Sequence, residues 1–236
     1  MATPWYRADP EAYARLRSEA EDCVPSLRFS ERGKEAVLSG PYPVSDEHGQ
    51  VIEQFKVELV FADHPSRSLP SLREVGGKVP YEPGQGNADR HVNPDGSACL
   101  HIEEEWWLQH PEGGLAVQEL LRGPIYHWLV GQVMYEADGE WPWEARSHGT
   151  DGVLEAYQEL LGVPDLQAAM RCLRALQRKR LHPRGDCPCG SGQTLEDCCL
   201  ETFESIRERV PRKLLRQRWK VLSWGLQLKH LRQRSR

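Results

Sequence analysis

The chain has 236 residues, 39% of them hydrophobic and 28% charged, and a formal net charge of -5. That length builds one substantial core plus a small appended module, and the composition excludes a disordered chain. The longest apolar runs fall well short of the roughly 18 residues that read as a membrane span. Residues 1–10 lack the apolar core of a signal peptide, so a cytoplasmic protein with no membrane partner is expected.

The charge is unevenly spread. Residues 201–236 hold eleven Lys/Arg and three Glu, a net +8, while the other 200 residues carry -13. Such a split predicts a tail with its own partner, or one that folds back on an acidic body. The seven cysteines are odd in number and four lie within thirteen residues, which points to a metal site rather than a disulfide framework.

Pro10 to Glu21 reads as a first helix, with Tyr13, Leu16 and Ala20 on one side. Two strand-like stretches follow, Ser26–Leu38, interrupted by Glu31-Arg32-Gly33-Lys34, and Gln50–Ala62. Gly40-Pro41-Tyr42-Pro43 and Asp46-Glu47-His48-Gly49 are expected to punctuate the connection between them. Ala62–Arg90 is rich in Pro, Gly, Ser and charge around a short apolar segment at Val75–Tyr81, and is expected to wrap the surface.

His91 to Leu100 is the most informative segment. It presents Cys99 after a polar turn, with His91 and Asn93 a few residues upstream. A thiol displayed on a turn beside hydrogen-bond donors suits acyl transfer, whereas a packing cysteine more often sits inside an apolar run. Asn93 is the natural oxyanion donor, because its amide is neutral and works without proton transfer. His91 is either a base or a lock for the turn. Asp95-Gly96 is a strong turn signal that would bring residues 93 and 99 together. The alternative is a buried cysteine after a tight hairpin.

Further on, residues 115–136 read as helical. Gly123-Pro124 breaks the pattern, so a short turn to Arg122 and a main helix from Pro124 are expected, with Ile125, Trp128, Leu129 and Val133 as its buried stripe. Gly139–Gly152 is a loop rich in Gly and Trp. Helices over Val153–Leu161 and from Pro164 to about Leu181 come next, then the cysteine cluster and a basic helix from about Glu201 with a break at Pro211. Together these elements predict an α+β fold, an antiparallel sheet with helices grouped at its ends.

Cys187, Cys189, Cys198 and Cys199 form two close pairs of thiols separated by a Gly-rich turn. Four thiolates close a tetrahedron and favour Zn²⁺ over harder ions, and such a site leaves no open position for water, so the zinc would be structural. In the tail, Arg207, Arg209, Arg212, Lys213, Arg216, Arg218 and Lys220 interleave with Leu214, Leu215, Trp219, Val221, Leu222 and Trp224. Three readings stand: a docking helix for a partner, nucleic-acid contact through phosphate neutralisation, or an amphipathic helix covering the zinc element with its charges solvated.

His91-Val92-Asn93, then Asp95-Gly96-Ser97-Ala98-Cys99-Leu100, with Trp107 eight residues after the cysteine, resembles the active-site signature of ubiquitin-conjugating enzymes. Those enzymes carry His-Pro-Asn, a short segment often ending Gly-x-x-Cys-Leu, and a Trp at that distance. The order of elements over roughly residues 10–160 is also similar. This chain has Val92 where the family has Pro, and its Asn-to-Cys segment is two residues shorter than the usual eukaryotic form. Gly139-Glu140-Trp141-Pro142-Trp143 through Ser147-His148-Gly149 looks more like bacterial relatives, which are encoded beside ubiquitin-activating-like enzymes, JAB-type proteases or antiphage cyclic-oligonucleotide synthases.

The resemblance implies a ubiquitin-conjugating (UBC)-like catalytic domain over 1–162 and a helical extension over 163–236. Cys99 would take the C-terminus of a ubiquitin-like or other protein from an activating-like enzyme as a thioester, then pass it to an amine of a protein acceptor. Asp95, His101 and Glu103-Glu104-Glu105 are candidates for orienting or deprotonating that amine; for the Glu run a solvated acidic turn is the alternative. The rivals are an inactive relative that only binds a ubiquitin-like protein or target, and a nucleic-acid adaptor with Cys99 incidental. Residues 187–199 look like the SEC-C motif, a short zinc-binding element at the ends of bacterial proteins that makes protein contacts. All four ligand positions match, as does the Cys-Pro-Cys-Gly-Ser-Gly core.

Overall fold

Phe55, Val57, Leu59 and Phe61 take every second position along one strand and are all buried, with Lys56, Glu58 and a half-buried Val60 between them, the period-two pattern of a sheet with one apolar face. The computed structural model describes residues 3–100, 102–110, 115–143, 147 and 149–234, with the backbone alone at 150 and 225–234. Four strands, β1 (Arg28–Arg32), β2 (Glu35–Ser45), β3 (Val51–Phe61) and β4 (Ser71–Glu74), form an antiparallel meander in sequence order. The α+β expectation therefore holds for the described residues.

The Glu31–Lys34 interruption is a hairpin turn at Gly33, so the first expected strand is two. Gly40-Pro41-Tyr42-Pro43 is not a connection: it lies inside β2. Pairing with β1 ends at Ser39, so the prolines sit where β2 has only β3 beside it and a missing amide proton is tolerated. β4 also departs from the expectation of a wrapping loop. Its Leu72 is buried and pairs with Leu59.

The chain divides into two compact units, Met1–His101 with Gly114–Glu144, and Ile102–Gly113 with Ala145–Arg236. The second unit thus begins earlier than the expected boundary at 162/163 and also takes in a segment from before residue 114. In the first unit, α1 (Trp5–Ala8) and α2 (Pro10–Cys23) precede the sheet, and Asp9 caps α2 by accepting from the Ala12 amide at 3.0 Å. Trp5 anchors α1 by donating its indole N–H to the Phe61 carbonyl at 2.9 Å.

After the strands, α4 (Val117–Leu120) runs through a π turn (Leu121–Ile125) into α5 (Tyr126–Asp138). The helix does not break at Gly123-Pro124. Pro124 has no N–H and its ring would press on the preceding turn, and widening to a π turn relieves both. The buried Tyr42 hydroxyl donates to the Leu121 carbonyl at 2.8 Å. Leu120, Leu121, Ile125, Trp128 and Leu129 are buried, while Val133 is only half-buried. Burying each such large side chain is worth roughly 1.5–3 kcal/mol.

The second unit is helical: α3 (Glu103–Gln109), α6 (Thr150–Leu161), α7 (Leu166–Leu176), α8 (Leu200–Arg209) and α9 (Arg212–Arg234). Trp107, Leu154, Tyr157, Leu173, Phe203 and Leu222 are among its buried side chains. Among the described residues no helix is long and apolar enough to cross a membrane.

Candidate functional site

Residues 91–99 form a small hairpin. Asn93 N–H donates to Ser97 O at 2.8 Å, Gly96 N–H to Asn93 O at 2.9 Å, and Cys99 N–H to His91 O at 2.8 Å. Pro94 and Asp95 occupy the centre of the turn, and Gly96 supplies the positive φ of +81° that follows. Ala98 N–H donates to Leu72 O at 2.8 Å, which joins the hairpin to β4. Behind it runs the segment 81–87. Gly84 N–H donates to Pro94 O at 2.8 Å, and a Cβ at Gly86 would collide with the Val92 carbonyl.

The Cys99 thiol is exposed. His91 is opposite it, in the left-handed region at φ 52° and ψ 49°, the one non-glycine residue with positive φ among the described residues. Its carbonyl also accepts from Trp128 Nε1 at 3.0 Å, and its ring packs against Trp141 with centroids 4.4 Å apart. Beside it, Gln132 Nε2 donates to Arg90 O at 2.7 Å. The Arg90 guanidinium lies 4.5 Å from the Tyr135 ring centroid and pairs with Glu136. Trp128, Gln132, Tyr135 and Glu136 lie on one face of α5, so that helix holds the strand facing Cys99. Of these, Trp128 is expected from the sequence only as part of the buried stripe, and Gln132, Tyr135 and Glu136 are not expected at all. The i, i+4, i+7, i+8 spacing of the four was the available signal.

Asn93 directs its amide into the hairpin, donating to Ser97 Oγ at 3.1 Å and Ala98 O at 3.4 Å. Asp95 Oδ1 accepts from the Ser97 amide at 3.0 Å and hydroxyl at 2.6 Å, and Arg73 lies 3.5 Å from Oδ2. Partial burial pushes the Asp95 carboxyl up, but Ser97 and Arg73 outweigh it and hold it below the usual carboxylate range. Asn93, Asp95, Ser97 and Cys99 are thus gathered on one turn.

Leu100 forms part of the wall of an open cleft of about 440 Å³, completed by Arg122, Gly123, Pro124, Tyr126, His127 and Val130. His127 stacks on Trp143 at 3.5 Å, and Trp143 meets Trp141 at 5.7 Å. An aromatic row therefore connects the His91 ring to the cleft. Gly131 leaves the space for it, since a Cβ there would strike both tryptophan rings.

In the second unit, the sulfurs of Cys187, Cys189, Cys198 and Cys199 all lie within 4.8 Å of one another. Cys189–Cys198 and Cys198–Cys199 are each 3.5 Å apart, close to the roughly 3.8 Å edge of a tetrahedron with bonds of about 2.3 Å. Gly190 and Gly192 turn the backbone with φ of +90° and +80°. Arg171 of α7 donates to the Pro188 and Cys189 carbonyls at 3.0 and 3.2 Å and braces that turn.

Burial pushes the Cys187 and Cys199 thiols up, and their neighbours push Cys199 further. Burial also opposes ionisation of Cys189, yet Ser191 and the adjacent thiols donate to its sulfur and bring it down to about 6. Crowded sulfurs without a cation cannot all be charged, whereas a divalent ion would draw all four into the thiolate form. The donor set fits a soft, tetrahedral metal. Nearby Cys172 is buried on α7, its thiol pushed up to about 12 by burial, and it is not one of the clustered thiols.

The acidic run does not behave as a solvated turn. Glu103, Glu104 and Glu105 form the first turn of α3, where negative charge suits the helix dipole. Glu104 is fully buried, accepting from Arg218 Nε at 2.9 Å and the Tyr157 hydroxyl at 2.7 Å. It ties three helices of the second unit together. Trp107 is buried in the same unit, its Nε1 donating to Glu103 at 3.4 Å. His101 and His148 lie outside the described residues.

Residues 186–201 match the SEC-C motif. No curated protein and no solved structure matches the chain.

Proposed function

We propose that the chain is a ubiquitin-conjugating-like acyl carrier, with Cys99 as the thioester nucleophile and a structural zinc at the four clustered cysteines. The observation that carries the reading is the exposed Cys99 thiol on a hairpin held rigid from three sides: by β4 at Ala98, by residues 81–87 behind, and by α5 through His91 and Arg90. A buried packing cysteine would need no such support. The four-stranded antiparallel meander preceded by a helix agrees with the resemblance carried by His91, Asn93, Cys99 and Trp107.

In the loading step, Cys99 sulfur attacks the carbonyl carbon of a donor already held as a thioester on an activating-like enzyme. The new S–C bond forms as the old one breaks, and the departing thiolate takes up the proton that Cys99 loses. In transfer, the nitrogen of a neutral amine attacks the same carbon, the Cys99 S–C bond breaks, and the proton shed by nitrogen passes through water to the Cys99 thiolate. Activation is already stored in the thioester, so the protein has mainly to position the amine and stabilise the oxyanion. Asn93 does the latter by exchanging its longer bond, to Ala98 O, for the developing oxyanion. The cleft that Leu100 helps to wall, one residue after Cys99 in the chain, gives the acyl chain or the amine a place to lie.

The test is a thioester assay. The full chain is incubated with the activating-like enzyme encoded beside it, ATP and that enzyme's protein donor, then run on non-reducing gels. A thiol-sensitive adduct absent from Cys99→Ala is expected, with a thiol-resistant ester on Cys99→Ser. No adduct from a donor the activating enzyme has demonstrably charged would sink the reading.

A further inference from the structure

The chain contains two long stretches without a single Asp or Glu. Residues 166–185 carry six Lys/Arg and residues 209–236 carry ten. Both belong to the second unit. After α7, Arg178, Lys179, Arg180 and Arg184 are exposed, and Arg207 of α8 donates to the Lys179 carbonyl at 3.1 Å, holding that connection against α8.

α9 sorts its residues cleanly by face. Leu214, Leu215 and Leu222 are buried, and Arg218 is engaged with the buried Glu104. On the other side, Arg212, Arg216 and Lys220 follow one another at four-residue intervals and are all exposed. The same row ends in Trp224, 66% exposed, with Val221, 59% exposed, beside it. The row from 212 to 224 is about 18 Å long at 1.5 Å per residue. The Trp224 indole therefore stands open to solvent at the end of the cation row.

We infer that this acid-free face of α9 binds single-stranded nucleic acid. The cations neutralise successive phosphates, and Trp224 offers a ring face on which an unpaired base stacks. An acidic protein would satisfy the charges but leave the indole unexplained, and a duplex keeps its bases stacked on each other. The site is independent of Cys99 chemistry.

The experiment measures binding of the full chain to a fluorescein-labelled 20-nucleotide single strand, to the same sequence as duplex, and in competition with polyglutamate, over a salt series. The single strand should bind with steep salt dependence and resist polyglutamate. Arg212→Gln with Arg216→Gln and Lys220→Gln should lower the slope of log affinity against log salt by about 2, from roughly 0.7 per phosphate contact. Trp224→Ala should weaken single-strand binding about tenfold with the slope unchanged. Circular dichroism confirms that these surface variants stay folded. No binding at low salt, a triple variant equal to the parent, or equal displacement by polyglutamate overturns the inference. So does tight duplex binding that ignores Trp224.

Discussion

Cys99 donates its amide to the His91 carbonyl at 2.8 Å, and His91 makes that bond from a left-handed backbone conformation. The presentation of the thiol thus depends on a residue eight positions away that sits where L-residues rarely go.

Substitution at His91 separates backbone from side-chain effects. His91→Gly and His91→Val both lose the contact with Trp141, but only Val meets the full steric cost of positive φ. The Val variant should be less stable than the Gly variant by roughly 1–2 kcal/mol, measured by urea denaturation. Equal stabilities would mean that the loop abandons this conformation at no cost.

Asn93 is expected to matter after loading rather than during it. Asn93→Ala removes the donor proposed for the oxyanion while leaving Cys99 exposed. Charging of Cys99 should remain near the parent level, and discharge to free lysine should slow about 100-fold or more. Single-turnover discharge followed on non-reducing gels checks this; a loss confined to charging would contradict the assigned role.

Asp95 makes the turn sensitive to acid. Because its folded carboxyl lies below the ordinary range, its contribution is complete above the unfolded value near 4 and is lost as pH falls through the lower folded value. Asp95→Asn should lower the urea midpoint at pH 7, and the gap from the parent should close as pH is taken towards 3. A gap that widens in acid would reverse the sign of the argument.

The Arg218–Glu104 pair gives the second unit its most asymmetric response. Arg218→Met strands a fully buried carboxylate and should cost about 3–5 kcal/mol. Adding Glu104→Gln should restore much of that loss, because both charges are then gone. Denaturation of the two single variants and the double variant measures the coupling.

The cysteine quartet should hold about one zinc per chain by atomic absorption, lost when Cys187→Ser is combined with Cys189→Ser. Arg171→Ala leaves all four sulfurs but frees the Pro188 and Cys189 carbonyls. Zinc affinity by chelator competition should then drop roughly 10- to 100-fold. A folded protein that carries no metal would contradict the zinc assignment.

What could be read from the residues alone follows sequence distance. The quartet and the Asp95-Gly96 turn are local patterns, and both reappear in the structure with their partners in place. β4 was hidden because its four residues sit among prolines and glycines, and Leu72 reveals itself only against Leu59. Pro41 and Pro43 looked like a connection because the end of β1 that makes them tolerable lies in another strand. Glu104 read as a solvated charge since its partner Arg218 is 114 residues away. The grip of α5 on Arg90 and His91 spans about forty residues and leaves only a helical spacing as its trace.

The four cysteines also carry a kinetic consequence. All of them fall between residues 187 and 199, so bringing them together closes only a short stretch of chain, for which the entropy loss is small. Segments of about ten residues meet within roughly 10–100 ns. A metal ion bound there would take its ligands while the remainder of the chain is still unfolded, and would set the leading end of α8, which starts at Leu200. The second unit would then grow outward from an inorganic seed, and the supply of metal during synthesis would govern how fast it matures.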